Sequence, residues 1–462
     1  MPAIITKDFR IQNANQFSES FSESADTYYL AIGRPQAFAN DQAFNDGTDT
    51  SPPTPVDSVG SVDYYVYDDL LSAKKISSSN VSAVIPRRNW TTGTTYDYYR
   101  HDYGEINSAG STIAANSGAT TLHDATFYVM NSTFDVYKVI DNNGDSASTV
   151  EPTGNKSTSV FSTGDSYKWK YMYSLSASEQ ANFLSTDFMH VSTESTDYST
   201  TAGAIENAKV TAGGSGGTNG TYTNVDIRGD GSSGKATVVV SSNAVTSVTI
   251  TTAGSGYTFA SVLASDIGSV SGADIDFIIS PPGGHASDAV AELGGFFVMM
   301  NVDFATSESG EFNTSNDFRR IALLRNPTDS TTGSTATAST LDATKSITFS
   351  GTPGSFQADE KITQASSGAV GFVVDFNSTT KVLRYIQPQF TNQGVDSNGN
   401  LTAFSSTNTV TGATSGATGT PSSHDITPEL TADTGDILYI ENRKPISRAS
   451  DQTENVKLIV EF

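Results

Sequence analysis

An all-β fold with a few short helices is what this sequence predicts, on three observations. Charged residues fill only 16% of the 462 positions, well below the usual quarter, and Ser and Thr supply the missing polarity. Phe and Tyr are abundant, at 24 and 19, and aromatic and β-branched side chains suit a pleated, half-buried surface. Third, short apolar runs cut by turn residues recur along most of the chain, whereas stretches of helical period are few.

Taken in order, the segment from Asn13 to Ser24 sets Phe17 and Phe21 four residues apart with Glu19 and Glu23 beside them, which predicts a short amphipathic helix. Strands are expected at Tyr28 to Ile32, Asp63 to Tyr67, Ala125 to Met130, Val136 to Ile140 and Trp169 to Tyr173. A second helix follows Ser176-Ala177-Ser178-Glu179, whose Ser and Glu fit a capping box, with Leu175 placed to staple the first turns. At the far end, Ile437 to Ile440 reads as a strand, Glu441-Asn442-Arg443-Lys444-Pro445 as a polar turn, and Val456, Leu458, Val460 and Phe462 as one face of a closing strand.

Two stretches have a different texture. Residues 206–286 are rich in Gly, Ser and Thr, with alternating strands at Ala236 to Val240 and Val245 to Ile250. They also contain an internal echo, Val210-Thr211-Ala212-Gly213-Gly214-Ser215-Gly216 against Thr251-Thr252-Ala253-Gly254-Ser255-Gly256-Tyr257. Such a pattern predicts a β-module of hairpins with Gly at turns of positive φ. Residues 330–427 form a second such stretch, with strands at Ile347 to Phe349, Val370 to Phe376 and Val382 to Ile386. A pure linker would not carry strands of period two.

At about 150 residues per domain the chain has room for roughly three. Its net charge of −24, from 26 Lys and Arg against 50 Asp and Glu, would repel a phosphate backbone, so nucleic acid is not an expected partner. No Cys is present, which excludes disulfides, Cys-ligated zinc and thiol chemistry. No apolar run approaches the roughly 20 residues of a membrane helix, and MPAIITKDFR lacks the shape of a signal peptide. The expectation is a soluble chain without a membrane partner.

Several motifs imitate chemistry. Gly229 to Ala236 has the spacing of a phosphate-binding loop and of a dinucleotide fingerprint, but both require a helix next, and Ala236-Thr237-Val238-Val239-Val240 reads as a strand. Gly213-Gly214-Ser215-Gly216-Gly217 has the spacing of a nucleophile elbow but runs into the turn signal Thr218-Asn219-Gly220. His101, His123, His190, His285 and His424 are too dispersed for a two-His metal spacing and read as surface or satisfied structural residues. Asp141 to Asp145 and Asp396 to Asn400 lack the ligand spacing of a calcium loop and read as Asn-Gly turns. Arg228-Gly229-Asp230 is taken as a chance tripeptide. With no catalytic set, no cofactor and no metal site expected, the balance tips toward a structural role.

A resemblance sharpens that balance. The C-terminal Ile437 to Phe462, Ala83-Val84-Ile85-Pro86-Arg87-Arg88-Asn89-Trp90, Tyr29-Leu30-Ala31-Ile32-Gly33-Arg34, Pro52 to Val59, Gly164 to Tyr171, and Phe318-Arg319-Arg320-Ile321 with Asn326-Pro327 stand in one order. Together they resemble the baseplate wedge subunit of T4-like contractile-tailed phages, the gene-eight product family, with Asn89 where that family has Asp. The resemblance covers about 1–200, 290–327 and 428–462. It implies a layered β-sandwich scaffold over 1–205, 287–329 and 428–462, interrupted by insertions at 206–286 and 330–427. It further implies a non-enzymatic subunit of the virion tail baseplate, assembled in the host cytoplasm, a homodimer that joins other wedge proteins. Arg87, Arg88, Trp90 and Arg443 are the candidate interface residues, because Arg pairs bidentately and Trp buries a large area. For Arg87, Arg88 and Trp90 an internal role, neutralising carboxylates or filling the core, is the other reading. A tail protein that binds or cleaves carbohydrate is the competing function; it predicts repeated hairpins over most of the chain, whereas the echo covers one stretch.

Overall fold

The computed structural model describes residues 5–38, 47–55, 66–107, 110–154, 156, 159–192, 201–305, 308–388, 394–398 and 400–462. Strand makes up 42% of the chain and helix 10%, in several antiparallel sheets with a few short helices, so the all-β reading holds. Two compact units alternate along the sequence. The first takes Met1–Phe17, Ser82–Met299 and Ile459–Phe462, and the second Ser18–Val81 and Met300–Leu458.

In the first unit a four-stranded sheet orders Tyr128–Met130, Asp135–Asp141, Lys168–Ser174 and Phe161–Ser162. Period two sends Val136 and Ile140 into a core with Ile85, Tyr99, Phe127 and Met189. Tyr137 and Val139 join Tyr96, Tyr167 and Trp169 on the opposite face. Both faces are therefore covered, and the Tyr-rich sequence of these strands follows from that. Strand Val81–Pro86 pairs with Phe188–His190 through Val84↔His190 and Ile85↔Met189. Helix α1 (Lys7–Ser20) begins at Lys7, six residues before Asn13, and stops at Ser20 rather than Ser24. It buries only Ile11 and Ala14, and so narrow an apolar stripe is why its first turns escape a periodicity argument. Helix α2 (Ala177–Phe183) has the expected capping box, Glu179 N–H donating to Ser176 Oγ at 3.3 Å and Ser176 N–H to Glu179 Oε2 at 2.6 Å. Helix α3 (Ala289–Leu293) is capped by Asp288, whose Oδ1 accepts from Ala291 N–H at 2.9 Å.

The Gly-rich stretch contains an 11-residue strand, Ile205–Ser215, paired with Ser271–Ile279, and a three-stranded sheet of Gly220–Asp226, Lys235–Ser241 and Ala244–Thr252. Val225, Ala236, Val238, Val245, Tyr257 and Phe277 fill their own core. The sequence echo is an echo of backbone: Gly214 and Gly216 take φ of 67° and 75°, and Gly254 and Gly256 take 65° and 75°. A side chain at Gly214 or Gly254 would both strain the backbone and collide with a carbonyl 2.5 Å away.

The second unit holds a five-stranded sheet in the order Thr340–Asp342, Leu70–Ile76, Tyr28–Gly33, Phe318–Arg325 and Asp436–Ile446. A seven-stranded sheet built from Lys345 to Asp425 has a separate core of Ile347, Phe349, Val373, Leu383 and Tyr385. Two expectations need correction. The supposed turn at Glu441 to Pro445 is the continuation of an 11-residue strand, Asp436–Ile446, at the edge of its sheet. Its Pro and charged residues are what an edge strand tolerates, because one row of N–H groups needs no neighbour. Of the strand expected at Asp63 to Tyr67, 63–65 lie outside the described residues, and Val66 and Tyr67 are helical and buried. The closing strand is present as Thr453–Glu461, with Leu458 buried.

Candidate functional site

The segments that carry the resemblance gather into polar clusters. In the first unit, Arg87 Nη1 donates to the Ser185 carbonyl at 2.8 Å and its Nε to Asn89 Oδ1 at 3.0 Å. Arg88 donates to the Ala125 carbonyl and lays its guanidinium 4.6 Å from the Tyr128 ring centre. Trp90 Nε1 donates to Ser148 Oγ at 3.0 Å, and that hydroxyl donates to Asp165 Oδ2 at 3.1 Å. Asp165 also accepts from Thr149 and Val150 N–H at 2.8 and 3.0 Å. Burial alone would raise its pKa, yet hydrogen bonds from Thr163, Thr149, Val150 and Ser148 outweigh that and hold it below the usual carboxylate value. The 83–90 and 164–171 segments thus lock onto each other, and Arg87, Arg88 and Trp90, all partly buried, have internal partners.

Asp97 repeats the device. Its buried carboxylate accepts from Ser117 N–H and Oγ at 2.9 and 2.6 Å and from Thr126 N–H and Oγ at 2.7 and 3.0 Å. Burial raises its pKa, but these donors prevail and the net shift is downward. A folded pKa below the unfolded one gives stability that is complete above the unfolded value near 4 and is lost as pH falls toward the folded value. Asp97→Asn is therefore expected to cost about 1–3 kcal/mol at pH 7. Urea titrations at neutral and strongly acidic pH check it: the difference between variant and parent shrinks on acidification.

In the second unit the pairing register aligns Gly33 with Arg320 and Arg320 with Asn442. Asp69 receives Arg320 Nη1 at 2.8 and 3.0 Å and stands 3.5 Å from Arg34 Nη1. Arg34 and Asp69 are each 2% exposed and Arg320 8%. Arg320 Nε donates to Asn442 Oδ1 at 3.0 Å, and Asn442 Nδ2 to the Pro53 carbonyl at 3.0 Å. Arg319 grips Asp49 bidentately at 2.9 Å through both nitrogens, which lowers the Asp49 pKa. Gly33 has no room for a side chain, since a Cβ would sit 2.8 Å from the Asp69 carbonyl. Four motif segments, Tyr29 to Arg34, Pro52-Pro53, Phe318 to Ile321 and Glu441 to Pro445, therefore close on one carboxylate and its neighbours; 56–59 lie outside the described residues. Arg443, on the edge strand, is exposed, 3.5 Å from Glu441 Oε1.

A third cluster escaped sequence reasoning. Lys138, His285 and Glu292 are 0%, 0% and 5% exposed and in mutual contact. Lys138 Nζ touches Glu292 Oε1 and His285 Nδ1, His285 Nδ1 is 2.9 Å from Glu292 Oε1, and Ala286 N–H donates to Glu292 Oε2 at 2.7 Å. The Tyr99 ring covers the ammonium at 4.2 Å and meets the imidazole edge-on at 5.1 Å. Burial lowers Lys138 to about 8 against the pull of Glu292, while burial and Lys138 together lower His285 to about 4. Burial would raise Glu292, but Lys138 prevails and takes it to about 2. At neutral pH the cluster rests as an ion pair beside a neutral imidazole. His285 Nε2 is buried with no hydrogen-bond partner among the described residues, 4.0 Å from Glu206 Oε1. The reading of each His as surface or satisfied fails for this one. The available signal was Lys138 itself, a cation in register with buried Val136 and Ile140. Glu292 and Tyr99 also line a cavity of about 880 Å³.

The imitative motifs resolve as expected from their flanks. Lys235 and Ala236 open the strand Lys235–Ser241, and Ser215 ends the strand Ile205–Ser215. Asp230 accepts from Thr258 N–H and Oγ at 2.8 and 2.6 Å and Arg228 pairs with Asp266 at 3.2 Å, so the tripeptide is tied within its module. Among the described residues no group of three or more His, Asp or Glu is arranged to hold a metal.

No curated protein matches the chain. The segment that contains Arg34, Asp69, Arg87, Arg88, Trp90, Asp97 and Lys138 does find a counterpart: residues 3–146 match the family described as Bacteriophage T4, Gp8, a phage baseplate wedge protein.

Proposed function

We propose that this chain is a non-enzymatic structural subunit of a phage tail baseplate wedge, working by assembly with other wedge proteins, and that it forms a homodimer there. The observation that carries the reading is the family match over residues 3–146. Support comes from the second unit, where Phe318 to Ile321 and Asn442, outside the matched range, close on Arg34, Pro53 and Asp69 inside it. The stretches 206–286 and 330–427 are then insertions in a shared scaffold, which surface loops tolerate because closure entropy grows slowly with length.

Among the candidate contact residues, Arg443 is the one with an exposed side chain on an edge strand, and the same strand also exposes Leu438 and Tyr439. Arg443→Glu is expected to weaken complex formation at least tenfold, about 1.4 kcal/mol, with an unchanged thermal midpoint. Alanine at Arg87, Arg88 or Trp90 should instead lower the midpoint, because their partners are internal. Sedimentation of the chain alone tests the dimer. Gel filtration after mixing with the neighbouring wedge proteins tests the assembly, and separate elution of every partner at micromolar concentration would sink it.

A further inference from the structure

The third cluster has the parts of a reaction centre that the wedge function does not use. We propose that Lys138 and Glu292 condense into an intramolecular isopeptide bond, releasing one water. The bond would join strand Asp135–Asp141 to helix α3 and give a cysteine-free chain a covalent staple.

Each component has a position. The nucleophile is Lys138 Nζ, fully buried under the Tyr99 ring, where dryness favours the uncharged amine. Proton transfer within the buried pair gives a neutral amine and a neutral carboxylic acid, a form that low-dielectric surroundings penalise far less than water does. Nζ then attacks Cδ of Glu292, and the carbonyl electron pair moves onto Oε2. There Ala286 N–H, 2.7 Å away, stabilises the developing oxyanion. Ala286 holds φ of 60° while buried, a backbone conformation that non-glycine residues keep where a site requires it. His285 Nδ1 touches Nζ and lies 2.9 Å from Oε1. It takes the proton released by nitrogen and returns it to Oε1 as the C–Oε1 bond breaks. The products are an amide, a neutral imidazole and one water, with no oxidant or reductant consumed. His285 Nε2 faces Glu206 Oε1 at 4.0 Å, a carboxylate that Lys170 already holds at 2.6 Å, so the imidazole carries the extra proton only in transit. Glu292 lines the cavity, which gives the departing water an exit.

The test is the intact mass of the purified, denatured full-length chain. The bond makes it lighter than its sequence by one water, about 18 Da, and a digest yields a branched peptide joining Lys138 to Glu292. A mass equal to the sequence, or a lost water that maps elsewhere, overturns the proposal. Lys138→Arg should restore the full mass; if that variant does not fold, the parent mass still decides. Glu292→Gln should lose ammonia in place of water, and water loss in that variant would contradict the assignment. His285→Gln should form the bond at least tenfold more slowly after refolding, and an unchanged rate removes the imidazole from the mechanism.

Discussion

Asp69→Ala is expected to lower the unfolding free energy by about 3–5 kcal/mol. The carboxylate is 2% exposed and is shared by Arg320, at 2.8 and 3.0 Å, and Arg34, at 3.5 Å. Removing it leaves guanidinium charge buried without its counter-ion, and arginine cannot shed its proton to relieve the cost. Asp69→Asn keeps an acceptor for Arg320 and should cost less than the alanine change. Chemical denaturation followed by circular dichroism measures both. A loss for Asp69→Ala below about 1 kcal/mol, the worth of an exposed pair, would contradict the cluster as described.

Trp169→Ala should be comparably severe, at about 3–5 kcal/mol. The indole is 0% exposed, stacks on Tyr167 at 5.4 Å, meets Tyr96 edge-on at 6.2 Å and donates through Nε1 to Thr163 Oγ1 at 3.0 Å. Its strand pairs Trp169 with Val139 on one side and Phe161 on the other, so no neighbour can move in without disturbing the sheet. Trp169→Phe keeps an aromatic body and should recover most of the loss. If alanine and phenylalanine cost the same, the residue contributes through its hydrogen bond and the packing argument fails.

What the sequence made legible follows from the range of each interaction. Strands such as Tyr28–Gly33 and Asp135–Asp141 were readable because their apolar residues recur at local spacing. The capping box at Ser176 and Glu179 lies within four residues, and the glycine echo needs only positive φ at fixed offsets. The start of helix α1 is not legible in the sequence because its inward face is Ile11 and Ala14 alone, while the apolar Phe9 of its first turn faces solvent. Glu441 to Pro445 looks like a turn in the sequence yet is strand, because edge strands and turns share polar residues and proline. The clusters were invisible for a different reason. Arg320 finds Asp69 across 251 positions and Lys138 finds Glu292 across 154, and only sheet register and core packing bring such pairs together.

The measurement that reaches the central proposal most directly is a density map of an intact contractile phage tail assembled in the presence of this chain. A wedge subunit places both units, with the Asp69 and Asp165 clusters intact, in every repeat of the baseplate, and the edge strand Asp436–Ile446 against a neighbouring protein. A baseplate fully accounted for by other chains, or this fold found only on a peripheral fibre, would contradict it.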